Sequence, residues 1–185
     1  MIVIATHKNP AEELVQSIKK HTPNEKYLII DSVGVGGYFP YSFYRGMQVE
    51  AGEYIFLHDS MLVKDNKWLQ RFRDKDTGGI VAHSTFSMCY DNSDQESYSK
   101  SIASGGEMGV FGCIFYAKKQ VVGKLKPFFN HEAKNVIEAR GWERILGSIC
   151  YQENIPISSV YGEFNHKAVE KDQLEGLTKY FLLRS

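Results

Sequence analysis

Three short apolar runs in the first third of the chain end abruptly in polar, ionisable residues. The runs cover residues 2–5, 27–30 and 53–57, and their length and composition predict buried strands. The third run stops at His58 and Asp59. Open α/β sheets place their ligand chemistry at the carboxyl ends of such strands. The pattern therefore predicts a binding site just after residue 57, around Asp59.

Apolar residues at helical spacing separate the first two runs, which predicts a helix between two strands. Asn9 is suited to cap this helix, and Pro10 fits its first turn. A strand, a helix and a second strand joined by short links imply a parallel pair of strands. A second helix is predicted over residues 42–51, with Phe43 and Met47 facing inward. The first helix is marked by Ala11, Leu14, Val15 and Ile18.

The second half of the chain alternates between apolar and polar segments less regularly. Residues 79–82 predict a short strand, whereas the polar stretch 84–107 predicts a long loop over the site. Residues 108–116 are apolar nearly throughout and predict one strand buried on both faces. Residues 130–153 predict a helix in two pieces separated by Gly141.

The order of these elements, with a last strand predicted over residues 155–160 at the sheet edge, defines a fold class. We predict an α/β fold with a mostly parallel central sheet and helices on both faces. The 185 residues suffice for one full core and show neither an internal repeat nor a linker, so we predict a single domain over 1–185. A charged segment that ends in apolar residues forms a C-terminal tail from about residue 166.

Composition and charge narrow the class of partner. Hydrophobic residues make up 43% and charged residues 24%, which is typical of a globular chain. Lys+Arg 22 balances Asp+Glu 22, so no overall field would gather nucleic acid or an anionic membrane. Neither a signal-peptide pattern nor an apolar run long enough for a transmembrane segment is present. Three widely separated cysteines fit a reducing compartment, and we predict a cytoplasmic protein: Cys89, Cys113 and Cys150.

A glycine-rich turn at residues 34–37 follows the second predicted strand. It is open to two interpretations, a loop that cradles a phosphate or a flexible turn, because the dinucleotide frame directly after the first strand is absent. The chain also lacks the P-loop, HExxH and GxSxG motifs and any cysteine cluster. The pattern therefore disfavours P-loop enzymes, zinc proteases, serine hydrolases and zinc ribbons.

The stretch AGEYIFLHDSMLVKDNKWLQRF, residues 51–72, resembles a segment of the GT-A glycosyltransferases, in which a buried strand runs into an acidic motif and then a turn and a Trp-Leu pair. The preceding YRGMQ resembles the end of the helix before that strand. GCIFYAKKQVVGKLKPFF is similar to the acceptor-side strand of the family, and GWERILGSICYQENIPI to its helix with an acidic residue. The resemblance runs from about residue 2 to about residue 160, in the same order and spacing.

This resemblance implies a Rossmann-like nucleotide-binding fold that transfers a sugar from a nucleoside-diphosphate sugar to the hydroxyl of a glycan, lipid or protein acceptor. It also implies roles for individual residues. Thr6 and His7 would line the nucleoside pocket, Asp31 would contact the base or ribose, Arg45 the base or diphosphate, Asp59 would take the acidic-motif role, and Glu143, with Glu132 as second choice, would be the general base.

Members of the family usually use Mn²⁺ or Mg²⁺, held by two acids that flank one residue. Here the triplet is His58, Asp59 and Ser60, so only its middle position is acidic. Asp59 would then hold the metal with a diphosphate and waters, and His58 and His166 are further candidate ligands. Arg45 would neutralise the leaving diphosphate in a site without metal.

Each of these roles has a structural alternative. Arg45 and His166 are also explained as surface residues, and Glu143 as an exposed helix acid or a partner of Arg140 or Arg144. Three hypotheses for the whole protein follow: an active glycosyltransferase, a catalytically inactive GT-A-like module that binds a nucleotide or glycan, and a structural protein that uses its tail and exposed aromatic residues.

Overall fold

The structure, a computed structural model, describes residues 1–7, 11–32 and 38–163 and the backbone of 177–179. The predicted cap at Asn9, the turn at 34–37 and His166 lie outside these residues. The strands are β1 Ile2–Thr6, β2 Tyr27–Asp31, β3 Glu53–His58, β4 Met61–Val63, β5 Ile80–Ala82, β6 Thr85–Ser87, β7 Met108–Val110, β8 Phe115–Lys118, β9 Ile157–Ser159 and β10 Leu177–Lys179. The α-helices are α1 Glu12–His21, α2 Phe39–Gly46, α3 Trp68–Asp74, α4 Ser93–Ile102, α5 Lys119–Phe129 and α6 Val136–Gln152.

A six-stranded sheet in the order β2-β1-β3-β8-β5-β9 forms the centre of the fold. β1 runs parallel to β2 and β3, β5 runs parallel to β9, and β8 is antiparallel to both β3 and β5. All strands of this sheet except β8 therefore point the same way, which confirms the predicted mostly parallel α/β sheet. We call the edge where β1, β2, β3, β5 and β9 end the carboxyl edge, and the opposite one the amino edge.

Side chains alternate between the two faces of this sheet, and both faces are covered. Ile2 and Ile4 of β1 pack in one core with Leu14 of α1, whereas Val3 packs in a second core with Phe43 of α2. α3 contributes to the first core, and α5 and α6 to the second. Strands covered on both sides read as continuous apolar runs, which is why the sequence signal for β1 and β3 was strong.

The polar stretch 84–107 is not a loop, so this prediction was wrong. It contains β6, which pairs with β7, and α4, which Asn92 caps by accepting a hydrogen bond from the backbone of Gln95. α4 packs against α6, and the buried residues of α4 are the polar Gln95 and Ser99. A helix that buries polar residues lacks the apolar stripe by which helices are recognised in a sequence.

The apolar run 108–116 is interrupted, and the prediction of one continuous strand was wrong. A turn of 3₁₀ helix at Phe111–Cys113 separates β7 from β8. Gly112 and Cys113 have φ values of 62° and 49°. Residues with positive φ cannot continue a strand, so the chain changes direction between two buried segments.

Two helix boundaries also differ from the predictions. α2 begins at Phe39 with Pro40 in its first turn, earlier than the predicted 42–51. α6 runs through Gly141 without a break. A Cβ atom at this position would lie 2.9 Å from Ser99 Oγ of α4. Gly141 therefore permits close packing of two helices rather than ending one. α5 was not predicted.

Candidate functional site

Asp59 lies directly after β3 and joins the ends of two strands at the carboxyl edge. Its backbone N–H donates to the carbonyl of Ala5 (3.0 Å), and its Oδ2 accepts a hydrogen bond from the backbone N–H of His7 (3.2 Å). Because these contacts involve main-chain atoms, they tie the position of the carboxylate to the register of β1 and β3.

His7 connects this carboxylate to the end of β2. Its Nδ1 lies 2.8 Å from Oγ of Ser32, and its ring stacks on Tyr38 at 4.8 Å between centroids and 13° between planes. Ser32 is fully buried, and its backbone N–H donates to the carbonyl of Thr6 (2.9 Å). Ser32 could have been found from the sequence, because it is a polar residue that follows a predicted strand. No such signal in the sequence marks Tyr38.

His58 precedes Asp59 in the chain, but its ring lies among aromatic side chains of α2. The centroid distances are 4.4 Å to Phe39 and 5.5 Å to Phe43, and both contacts are edge-on. Tyr54 and Phe56, at alternate positions of β3, belong to the same core as Phe43. His58 therefore continues the α2-facing row of β3.

The structure brings Thr6 and Asp31 to the site and keeps Arg45 away from it. Thr6 and Asp31 are partners in the β1–β2 register; Thr6 is buried and Asp31 is exposed. Arg45 is exposed in the last turn of α2, whereas Phe39, which touches His58, is the first residue of that helix. A Cβ atom on the next residue, Gly46, would clash with Cγ1 of Val3, near the start of β1 and away from its carboxyl end.

Glu143 reaches the carboxyl edge from α6. Its Oε1 accepts a hydrogen bond from the backbone N–H of Gly112 (2.8 Å), in the turn that enters β8. The backbone N–H of Phe111 in the same turn donates to the carbonyl of Ser84, just after β5 (3.0 Å), and the turn lies within 8 Å of β3 between Cα atoms. Glu143 and Asp59 thus belong to the same edge of the sheet.

Arg144 is buried, with 5% of its surface exposed, which is rare for an arginine unless it is paired. Its guanidinium contacts Glu143 Oε2 (3.1 Å), donates to the carbonyl of Cys89 (2.7 Å) and stacks on the ring of Phe86 at 4.9 Å. Each oxygen of Glu143 therefore already accepts one hydrogen bond. A carboxylate has about four acceptor sites, so capacity remains for a substrate hydroxyl.

Two further polar groups lie near this edge. His83, directly after β5, is buried, with Nδ1 3.0 Å from Ser84 Oγ and its ring 4.7 Å from that of Tyr161. His83 was not predicted as a site residue, although it is a polar residue directly after a predicted strand.

Glu132 is exposed on the connection from α5 to α6. It is next to Ala133, whose carbonyl accepts a hydrogen bond from the backbone N–H of Tyr38 (3.3 Å).

The described residues do not by themselves form a metal site. Within the parts of the chain that the structure describes, no three His, Cys, Asp or Glu side chains converge as metal ligands. Of the three predicted ligands, Asp59 lies at the carboxyl edge, His58 faces the aromatic residues of α2, and His166 lies outside the described residues.

The amino edge of the sheet carries a network of charges. Arg73 bonds to Glu25 (2.9 Å) and to Glu53, and the hydroxyl of Tyr116 donates to Glu53 (2.7 Å). The amino group of Met1 donates to the carbonyl of Glu53 (3.1 Å). Burial alone would raise the pKa of Glu53, but the bonds from Arg73 and Tyr116 outweigh it and lower that pKa.

The architecture is a mixed α/β fold with a six-stranded, mostly parallel central sheet. No family model and no curated protein matches the sequence. Within the described ranges, every helix is too short or too polar to cross a membrane.

Solved structures with a similar fold include glycosyltransferases and nucleotidyltransferases. Drosophila β1,4-galactosyltransferase 7, a mutant with manganese, UDP-Gal and xylobiose, is 8% identical over 95% of this chain and 69% of its own, with a TM-score of 0.48. Galactosyltransferase LgtC, with donor and acceptor sugar analogs, is 11% identical over 86% of this chain and 73% of its own, with a TM-score of 0.42. CMP:2-keto-3-deoxy-manno-octonic acid synthetase, with CTP, is 12% identical over 85% of this chain and 88% of its own, with a TM-score of 0.44. These likenesses concern the fold alone.

Proposed function

We propose that the protein is a glycosyltransferase that moves a sugar from a nucleoside-diphosphate donor to an acceptor hydroxyl at the carboxyl edge of the sheet. One observation carries the proposal: Asp59 is fixed between β1 and β3, bonded to His7, at the edge that Glu143 also reaches through Gly112. A polar site at the ends of several strands of one sheet is where this class of fold binds ligands.

The residues of the edge suit separate parts of such a reaction. The stacked rings of His7 and Tyr38 supply an aromatic border for a nucleoside. An acceptor hydroxyl is a poor nucleophile near neutral pH and needs a carboxylate within hydrogen-bond reach, the role we assign to Glu143. We leave Arg45 out because α2 runs back along β1, so that the next residue, Gly46, lies against Val3 near the start of that strand.

The departing nucleoside diphosphate carries negative charge and requires a cation. Asp59 is our proposed anchor for Mn²⁺ or Mg²⁺, but the described residues supply too few ligands to hold the ion alone. The same shortage favours a second candidate, a catalytically inactive module that binds a nucleotide or glycan.

A thermal-shift panel tests the proposal. We expect one of UDP, GDP, dTDP, CDP or their sugars to raise the melting temperature, because a ligand that binds the folded state alone stabilises it. Asp59→Asn should abolish that rise, and Asp94→Asn, an exposed acid on α4, should retain it. If no nucleotide shifts the wild type with or without Mn²⁺, the proposal fails.

Turnover then separates the two candidates. Release of the nucleoside diphosphate with transfer of the sugar identifies the glycosyltransferase, and we expect Asp59→Asn to slow it by about 100-fold. Nucleotide binding without turnover under either metal identifies the inactive module. Release of pyrophosphate from a nucleoside triphosphate and a sugar phosphate would instead identify nucleotidyl transfer and contradict both candidates.

A further inference from the structure

A cavity of about 170 Å³ lies away from the carboxyl edge, between the start of β7, the last turns of α6 and the start of β9. Tyr151, which lines it, follows Glu143 by two turns of α6, about 12 Å along the helix. The cavity is therefore separate from the proposed sugar-transfer site. The walls are formed chiefly by Glu107, Met108, Gly147, Tyr151, Ile155 and Ile157.

Tyr151 is exposed over 66% of its surface, yet its ring is held in place. Gly105 has a φ of +93°, and a Cβ atom there would lie 2.9 Å from the Cδ1 and Cε1 atoms of the ring. The next residue, Gln152, donates from Nε2 to the carbonyl of Ser104 (3.0 Å). The glycine backbone thus supports the aromatic ring without covering it.

The residues that line the cavity favour a ligand with a positive charge at the end of an apolar methylene chain. Glu107 is exposed and is the one charged residue among the described residues that line the cavity. The face of a tyrosine ring attracts cations, and a carboxylate bonds to guanidinium or ammonium groups. Met108, Ile155 and Ile157 supply an apolar surface for the methylene groups that long basic side chains bury.

The size and position of the cavity indicate the source of that charge. Its volume lies below the range of cofactor sites, about 300–1,000 Å³, and suits one long side chain. Ile157 belongs to β9, which pairs with β5 on one side. Among the described strands, none pairs with the other side of β9, so β9 is the last strand of the central sheet. An extended polypeptide can add to such an edge while one side chain enters a pocket beside it. We propose that this cavity binds an arginine or lysine side chain of an extended polypeptide partner.

Titrations followed by backbone amide NMR of the whole protein test the proposal. The probes are blocked arginine, its neutral isostere blocked citrulline, and a short Val-Arg-Val peptide. We expect saturable shifts at Gly106, Glu107 and Gly147, with citrulline about five-fold weaker than arginine. The peptide should bind more tightly than the single residue, because it adds main-chain bonds to β9.

Matched variants separate the two contacts. Glu107→Gln should weaken arginine about five-fold, Tyr151→Ala should weaken it similarly, and Tyr151→Phe should retain binding because the ring face is kept. Glu12→Gln, an exposed acid on α1, is the control and should change nothing. Equal binding of arginine and citrulline, or absence of shifts at the cavity, overturns the proposal. A peptide that binds no more tightly than blocked arginine overturns the polypeptide partner.

Discussion

The two edges of the central sheet hold polar groups in opposite ways. At the amino edge, charged side chains bond to each other, with Arg73 placed between Glu25 and Glu53. At the carboxyl edge, Asp59 accepts a hydrogen bond from the backbone N–H of His7, and the His7 ring pairs with the hydroxyl of Ser32. Both edges belong to the same strands, so the difference between them lies in which groups bond to the polar side chains.

This difference separates stability from binding. The bonds of Glu53 and Glu25 raise the pKa of Arg73 against the effect of its burial, and burial together with Glu53 raises the pKa of Tyr116. The charged side chains of this network are already paired with each other, so they are poorly suited to bind a charged ligand. The carboxylate of Asp59 accepts a bond from a main-chain N–H at a strand end, where open α/β sheets bind their ligands.

Replacing Glu53 should have the largest effect on folding. Glu53→Gln removes the charge that Arg73 faces and weakens the bond from Tyr116, and we expect the free energy of unfolding to fall by about 2 kcal/mol. Urea denaturation measures this change.

The matched control is Glu50→Gln, because Glu50 pairs with Lys119 in an exposed ion pair. Exposed pairs contribute little, so the expected change is below about 0.5 kcal/mol. Equal losses in the two variants would show that the amino edge is an ordinary surface and would remove the contrast between the edges.

The pH dependence of stability should sharpen the same contrast. The pKa of Glu53 in the folded protein is lowered from its ordinary value of 4.5. A lowered pKa contributes stability that is present above pH 4.5 and is lost as the pH falls through the folded value. The gap in unfolding free energy between wild type and Glu53→Gln should therefore narrow below pH 4.5. A gap that stays constant under acid conditions would argue against the ionic origin of this network.

Replacing Asp59 should have the smallest effect on folding. The side-chain oxygen of Asp59→Asn can still accept the hydrogen bond from His7, so we expect the unfolding free energy to change by less than about 0.5 kcal/mol. Urea denaturation without ligand measures it. A loss as large as that of Glu53→Gln would mean that Asp59 is a structural residue, and the contrast between the edges would break.

The parts of the fold that bury simple apolar faces were predictable from the sequence. β1, β2 and β3 are short apolar runs, and the parallel pairing of β1 with β2 follows from the helix between them. α4 was not predictable, because its buried face carries Gln95 and Ser99. The turn at Gly112 was hidden for a related reason: its neighbours on both sides are buried.

The candidate site was predictable to the extent that strand ends mark it. Asp59 and His7 follow β3 and β1 directly, and the structure joins them by a hydrogen bond. Tyr38 and the bond from Gly112 to Glu143 depend on where separate segments meet in space, which a single sequence does not encode locally. The roles assigned to these residues remain predictions for the experiments above.

The position of β8 governs the order in which the protein is assembled. β8 lies between β3 and β5, although it follows both in the chain. While the ribosome has yet to release residues 115–118, β3 lacks one neighbour, and β5 lacks both because β9 comes later still. A nascent chain therefore has unpaired apolar strands until residues 115–118 have emerged, and unpaired strands of this kind are prone to aggregate.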